Sequence, residues 1–161
     1  MSAKLHITRL ELSQLRKFAA LTLADLSPGL NIIAGPNGAG KSTVVRAIRA
    51  AFLDRHGSSS TADLQPHGDS GAAPSVALDF VLQGEPYRLH KTFLRRKRCD
   101  LQAASQAFSG QEAEDWLAER MGFGFAAKGA GRPEHWGVPG LLWVEQGSDP
   151  RELGLRVGHA S

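Results

Sequence analysis

The chain has 161 residues, 42% hydrophobic content and a formal net charge of +3, which suits one globular domain and permits a nucleic-acid partner without requiring one. No apolar run approaches the ~20 residues of a membrane span and no signal-peptide region opens the chain, so we expect a cytoplasmic protein with no membrane partner. The single cysteine, Cys99, excludes an internal disulfide, and the six scattered histidines lack metal-ligand spacing.

The first predicted elements are strands. Residues 5–12 alternate in two stretches with a slip between Ile7 and Leu10, which predicts a strand with a bulge. Residues 19–26 alternate again, so the two segments are expected to form a hairpin. The apolar run 29–34 follows a Pro-Gly turn signal and is predicted to be a buried strand.

The segment 35–43 reads Gly-Pro-Asn-Gly-Ala-Gly-Lys-Ser-Thr and fills every fixed position of the phosphate-binding pattern G-x-x-x-x-G-K-[ST]. Its glycines let successive N–H groups turn toward phosphate oxygens. In this pattern Lys41 reaches the β and γ phosphates, and the Ser42 hydroxyl ligates Mg²⁺. Apolar residues after the loop recur at helical spacing, so the phosphates are expected at a helix N-terminus. The residues predicted to hold the nucleotide are Asn37, Gly38, Ala39, Gly40, Lys41, Ser42 and Thr43.

A helix ending near 54–57 and a β-rich segment are predicted to follow. Residues 57–74 are rich in Ser, Gly, Asp and Pro, which favours a flexible surface connection. The stretches 75–82 and 87–94 alternate around a Gly-containing turn and predict a hairpin. A further strand at 99–103 would complete an antiparallel β insert.

The basic run 95–98, Arg-Arg-Lys-Arg, lies at a turn of this insert. Four adjacent cations could contact DNA phosphates, or they could form a solvated hairpin tip. Both interpretations are open on the sequence.

Residues 112–121 have helical apolar spacing and predict a second helix. Ser109, with Glu112 three residues on, is a candidate N-cap. The segment 122–134 is glycine-rich and is predicted to be a flexible loop.

The order of these elements resembles the N-terminal head segment of SMC-type ATPases, a group that includes SbcC-type double-strand-break-repair proteins, YhaN-like proteins and RecF. The similarity is carried by Gln14–Phe18 between the first two strands, by the approach 27–33 to the phosphate loop, and by 140–147, Gly-Leu-Leu-Trp-Val-Glu-Gln-Gly, which resembles the family's Q-loop. The β insert 75–103 fills the interval between the two motifs as it does in SMC-like heads.

The resemblance implies an α/β fold, a P-loop NTPase half-head of the ABC/SMC type. An antiparallel β lobe would pack beside the P-loop strand and helix over residues 1–148, and the tail 149–161 would lie where a coiled coil is expected to start. ATP and Mg²⁺ are the implied cofactors.

The resemblance also implies roles for individual residues. Arg16 would touch the nucleotide, Lys41 and Gln146 would act in catalysis, and Ser42 and Gln146 would be the metal ligands. A solvated strand-end charge is the alternative for Arg16, and a plain loop residue is the alternative for Gln146. Glu145 is a further alternative, as the water-activating base of a degenerate Walker B strand.

The family's signature and Walker B motifs are expected on a C-terminal half of the head, which this sequence does not contain. The expected partners are that half, a second head in a dimer, DNA and a nuclease subunit. The chain alone would bind ATP without turning it over. Two alternatives are a transporter-type ABC ATPase subunit, which predicts a shorter helical insert in place of 75–103, and a non-catalytic interaction module that changes partners on binding nucleotide.

Overall fold

The structure, a computed structural model, describes residues 5–28, 31–36 and 38–122. Within these ranges no helix is long and apolar enough to span a membrane. The strands are β1 (Leu5–Leu15), β2 (Phe18–Leu23), β3 (Ser75–Leu82), β4 (Glu85–Thr92), β5 (Arg98–Ala103) and β6 (Ala107–Ser109); the helices are α1 (Lys41–Leu53) and α2 (Gly110–Met121), with a 3₁₀ helix at Ser59–Leu64.

The strands form one six-stranded antiparallel sheet in the order β2-β1-β3-β4-β5-β6. The β1–β2 and β3–β4 hairpins confirm the two hairpins predicted from alternation. The predicted bulge is also confirmed, because Ile7 pairs with Phe80 and Arg9 pairs with Asp79, which leaves Thr8 as the additional residue. This extra residue lets both halves of β1 direct their apolar side chains to one face.

That face of the sheet packs against the two helices and forms the core. Alternate strand residues such as Phe80, Leu89 and Leu101 are at most 1% exposed. Ala47 on α1 and Leu117 on α2 lie in the same buried cluster. Burial of each large apolar side chain contributes about 1.5–3 kcal/mol, so the phosphate-loop helix and α2 are held to the β lobe by the sheet face.

The described part of the segment 29–34, residues 31–34, does not form the predicted buried strand. Residues 31–36 belong to no strand of the described sheet, and Ile32 is 79% exposed. Instead, the side-chain amide of Asn31 binds the backbone of Ser27: its Oδ1 accepts from the Ser27 N–H at 2.9 Å, and its Nδ2 donates to the Ser27 carbonyl at 2.9 Å. An apolar run forms a strand only where a neighbouring strand completes its backbone hydrogen bonds, and β2 forms the sheet edge on this side.

The segment 57–74 is more ordered in its contacts than its composition predicted. It contains the 3₁₀ helix, in which the Ser58 hydroxyl accepts a hydrogen bond from the Ser60 amide at 3.1 Å. Thr61 and Leu64 are both 0% exposed. Two buried side chains therefore anchor a segment whose average composition is that of a loop.

The predicted second helix and third insert strand are confirmed as α2 and β5, whereas the short strand β6 was missed. Ser109 occupies the N-cap position of α2, but its side chain makes no capping hydrogen bond, so the predicted cap is wrong in that respect. β6 ends at this residue and pairs Ser109 with Asp100. The extended conformation required by the strand, φ −138° and ψ 159°, sets the start of the helix.

Candidate nucleotide-binding site

The phosphate loop enters α1 through two glycines with left-handed backbone. Gly38 has φ +81° and Gly40, the N-cap of α1, has φ +102°. The amides of Thr43 and Val44 both donate to the Gly40 carbonyl at 3.1 Å, which closes the first turn. A side chain at either glycine would strain this conformation, so the glycines predicted from the pattern are required by the fold of the loop.

Gly40 also makes a close approach to the β1–β2 hairpin. A Cβ atom at this position would lie 2.4 Å from Phe18 Cζ and 3.3 Å from Lys17 Cδ. The loop is therefore seated directly on the turn that follows β1. The sequence pattern gave no sign of this contact, because it joins residues far apart in the chain.

Lys41 and Ser42 are the first two residues of α1. The Lys41 ammonium donates to the carbonyl of Gly35 and, at 3.0 Å, to that of Pro36, so its charge stays at the loop. The side chain of Ser42 is exposed, whereas that of Thr43 is only 5% exposed. Of these two hydroxyl groups, Ser42 is the one that a metal ion in solution could reach.

These features together fit a Mg²⁺-bound phosphate chain. The first turn of α1 carries no acidic residue that would repel an anion. The positive end of the helix dipole at this turn favours negative charge. Elsewhere in the described ranges, no group of three or more His, Cys, Asp or Glu side chains is arranged to hold a metal ion.

Arg16 lies in the turn between β1 and β2, in left-handed backbone with φ +50°. Its guanidinium donates from Nη2 to Asp63 Oδ2 at 2.7 Å and from Nε to the Asp63 carbonyl at 3.0 Å. Arg16 is thus held by the 3₁₀ helix rather than solvated alone. Asp63 was not predicted as a site residue, because it lies in a segment of loop-like composition.

Asp63 also receives two hydrogen bonds from Arg46 of α1. Burial acts to raise the pKa of Asp63, but the hydrogen bonds and charge of Arg46, with those of Arg16, outweigh it and hold this pKa below its ordinary value. Asp63 is therefore an ionised bridge between the two arginines at neutral pH.

The other end of α1 is fixed by a buried ion cluster. Lys91 of β4 donates from Nζ to the carbonyl of Asp54, the C-cap of α1, at 2.7 Å. Glu114 of α2 accepts from the backbone amide of His56 at 2.6 Å and lies 3.3 Å from Lys91 Nζ. Burial acts to raise the pKa of Glu114, but Lys91 and His56 outweigh it and the pKa is lowered. The cluster ties the phosphate-loop helix to both β4 and α2.

Asn37, Glu145 and Gln146 lie outside the described residues. The predicted Q-loop, its alternative as a Walker B strand and the predicted loop 122–134 therefore stay predictions. In contrast, three antiparallel strands lie within 75–103, and the transporter-type alternative called for a shorter helical insert there.

Comparison with known proteins gives a family match, similar curated relatives and similar solved structures. A family model described as an AAA domain matches residues 9–112. A DNA double-strand break repair Rad50 ATPase of Thermoplasma volcanium is 36% identical over 89 residues, which are 54% of this chain and 10% of that protein. A DNA replication and repair protein RecF of Mesorhizobium japonicum is 46% identical over 48 residues, 30% of this chain and 12% of that protein. The chain thus spans about a tenth of the length of these curated relatives.

Two solved structures share the fold. One comes from work on ATP-driven dimerization and DNA-stimulated activation of SMC ATPases; it has a TM-score of 0.54 at 19% identity and covers 94% of this chain and 93% of its own. The other, the recombination mediator protein RecF with ATP, has a TM-score of 0.52 at 16% identity over 72% of this chain and 31% of its own. These likenesses confirm the predicted α/β fold class.

Proposed function

We propose that this chain, which belongs to the AAA domain family and is the N-terminal segment of an SMC/RecF/Rad50-like ATPase, binds ATP and Mg²⁺ through its loop 35–43. The observation that carries the proposal is the close packing of Gly40 against Phe18. Gly40 is the N-cap of α1, so this contact holds the N-terminus of the helix, which begins at Lys41, in place. The names of the relatives support a role in DNA repair, and a cytoplasmic location fits that role.

Each residue of the site has a defined task in this proposal. The amides of residues 40–42 bind phosphate oxygens, and Lys41 releases the Gly35 and Pro36 carbonyls to pair with the β and γ phosphates. Ser42 provides the accessible hydroxyl for Mg²⁺, which supplies positive charge against the charge that develops on the γ-phosphate. Gln146 is the proposed second metal ligand and water sensor, as its Q-loop resemblance implies.

Hydrolysis, in this proposal, needs a C-terminal half that brings the signature and Walker B motifs, and a second head in a dimer. The exposure of Ile32 and Ile33, at 79% and 45%, supports the first requirement. An apolar segment next to the phosphate loop would become a buried strand once a partner strand covers it. The chain alone would then bind ATP with little turnover.

DNA is the proposed substrate of the assembled ATPase, and a nuclease subunit is a further proposed partner. The run 95–98 is exposed throughout; it lies in the turn after β4 and ends at Arg98, the first residue of β5, with left-handed backbone at Arg96, φ +50°. A tight, exposed turn with four cations is suited to DNA phosphates. Its effect on binding should fall steeply as salt is raised.

ATP titration of the purified chain tests the nucleotide site. Lys41→Ala should weaken ATP·Mg²⁺ binding at least about a hundred-fold, because it removes a cation from the phosphates. Lys97→Ala removes an exposed lysine outside the loop and should leave the affinity unchanged. Unchanged affinity in Lys41→Ala would refute the proposal.

Association with the C-terminal half tests the assembly. Dimer mass and DNA retention should rise with ATP only when that half is present. Robust turnover by the 161-residue chain alone, abolished by Glu145→Gln, would instead favour a Walker B role for Glu145.

A further inference from the structure

Asp63 lies between two arginines that belong to different elements. Its Oδ2 accepts from Arg16 Nη2 at 2.7 Å and from Arg46 Nε at 2.9 Å, and its Oδ1 accepts from Arg46 Nη2 at 3.0 Å. Arg16 is in the β1–β2 turn, and Arg46 is on α1, directly after the phosphate loop. One carboxylate thus links the turn, the 3₁₀ helix and the phosphate-loop helix.

The position of Arg16 is determined at both its backbone and its side chain. Its amide donates to the Leu64 carbonyl at 2.9 Å, and its Nε donates to the Asp63 carbonyl at 3.0 Å. Leu64 is 0% exposed, so the acceptor belongs to a packed part of the molecule. The two residues after Arg16 are the Lys17 and Phe18 that contact Gly40. Arg16 is therefore held by Asp63 and Leu64, and it lies two residues before the Phe18 ring that packs against Gly40.

Arg46 makes this arrangement rigid with respect to α1. Besides Asp63, it donates to Asp54 Oδ2 at 2.7 Å and to the Ser60 carbonyl at 3.3 Å. Its side chain is 19% exposed, so it is largely sheltered from competing water. Arg46 therefore holds the Asp63 carboxylate in a fixed position relative to α1.

We propose that Asp63 is a positioning residue, which holds the Arg16 guanidinium at the edge of the phosphate loop where it meets bound nucleoside triphosphate. This inference rests on the proposed function. Asp63 engages Nε and Nη2, and a guanidinium has five N–H donors, so others remain for phosphate oxygens. Without the carboxylate, the flexible side chain would have to be ordered at the moment of binding, which costs affinity.

A double-mutant cycle on ATP·Mg²⁺ affinity tests the proposal. Arg16→Ala and Asp63→Asn should each weaken binding, by about ten-fold for the arginine and somewhat less for the aspartate. In the Arg16→Ala background, Asp63→Asn should cause no further loss, because its effect passes through Arg16. Asp79→Asn is the matched control, since Asp79 also pairs with an arginine at 2.8 Å and is 32% exposed against 42% for Asp63. It should leave ATP affinity unchanged.

A second variant guards against misfolding of Asp63→Asn. Arg16→Lys keeps the charge but cannot bridge the carboxylate and the carbonyl of Asp63 together, so it should lose affinity nearly as Arg16→Ala does while its melting temperature stays near that of the wild type. Wild-type affinity in Arg16→Lys, or equal effects of Asp63→Asn with and without Arg16, would overturn the proposal. Lys41→Ala separates the two levels: if it abolishes binding while Asp63→Asn has no effect, the nucleotide site stands and only the role of Asp63 falls. If the wild-type chain does not bind ATP, both fall.

Discussion

Lys91 Nζ lies 3.3 Å from Glu114 Oε1, and the two side chains are 1% and 0% exposed. The pair joins β4 to α2, and through the Asp54 carbonyl it also holds the C-terminal end of the phosphate-loop helix. Two charges removed from water in this way are strongly interdependent, because either one alone would be a buried, uncompensated charge.

Glu114→Gln should lower the free energy of unfolding by about 3 kcal/mol, because it leaves Lys91 buried without its counter-charge. Urea denaturation followed by circular dichroism would measure the loss. Glu112→Gln, an exposed position in the first turn of the same helix, is the control and should change stability by less than about 0.5 kcal/mol. Equal effects of the two changes would contradict the buried-pair account.

Stability should depend on acid pH through Glu114. Lys91, His56 and Arg55 surround this carboxylate, and its pKa in the folded state is lowered. The stability that Glu114 contributes is therefore complete above its pKa in the unfolded chain, about 4.3. This stability is lost as the pH falls through the lower pKa of the folded state. The urea concentration at the midpoint of unfolding of the wild type should therefore decrease as the pH is lowered through that acid range. Subtracting the Glu114→Gln profile isolates this residue from Asp63 and Glu11, whose pKa values are also lowered. Parallel profiles would show that Glu114 is not the source.

Cys99 should be unreactive in the folded chain. Its side chain is 0% exposed, and burial, only partly opposed by Lys91, raises the pKa of the thiol to about 12. The thiolate is the reactive form, so alkylation near pH 8 should be negligible without denaturant and complete in urea. Mass spectrometry after iodoacetamide treatment measures both states. Rapid labelling of the native chain would mean that β5 opens readily.

Gly40→Ala should disrupt the nucleotide site and lower stability. The added Cβ would meet the Phe18 ring at 2.4 Å and would also hold a residue at φ +102°. Gly38→Ala has the second problem only, since nothing lies within 4 Å of its Cβ position. It should cost about 1 kcal/mol of backbone strain, and Gly40→Ala should cost clearly more. Thermal unfolding of the two variants separates steric overlap from strain; equal losses would argue that the Phe18 contact is not tight.

The sequence predicted the elements whose signals are local. The β3–β4 hairpin and α1 follow from alternation and helical spacing within single segments, and the loop glycines follow from a complete motif. The exposed Ile32 shows the limit of this reasoning, because a buried strand depends on a neighbour that a local pattern cannot supply.

The charged residues that organise the site were harder to foresee. Asp63 and Glu114 work through partners many residues away, Arg16 and Lys91 respectively. A signal for Lys91 did exist: it continues the alternation of Tyr87 and Leu89 on the buried side of β4. A lysine in register with apolar residues is a sign of a buried ion pair.

The bulge in β1 has a consequence for how the chain tolerates changes in length. Thr8 has no ladder partner between the pairs Ile7–Phe80 and Arg9–Asp79, so removing it would leave an unbroken ladder with the same residues opposite one another. Removing a residue farther from the bulge, such as Glu11, would instead turn the residues between it and the bulge to the opposite face, Leu10 among them. The distance of a deletion from the bulge therefore decides whether the hairpin next to the phosphate loop can accommodate it.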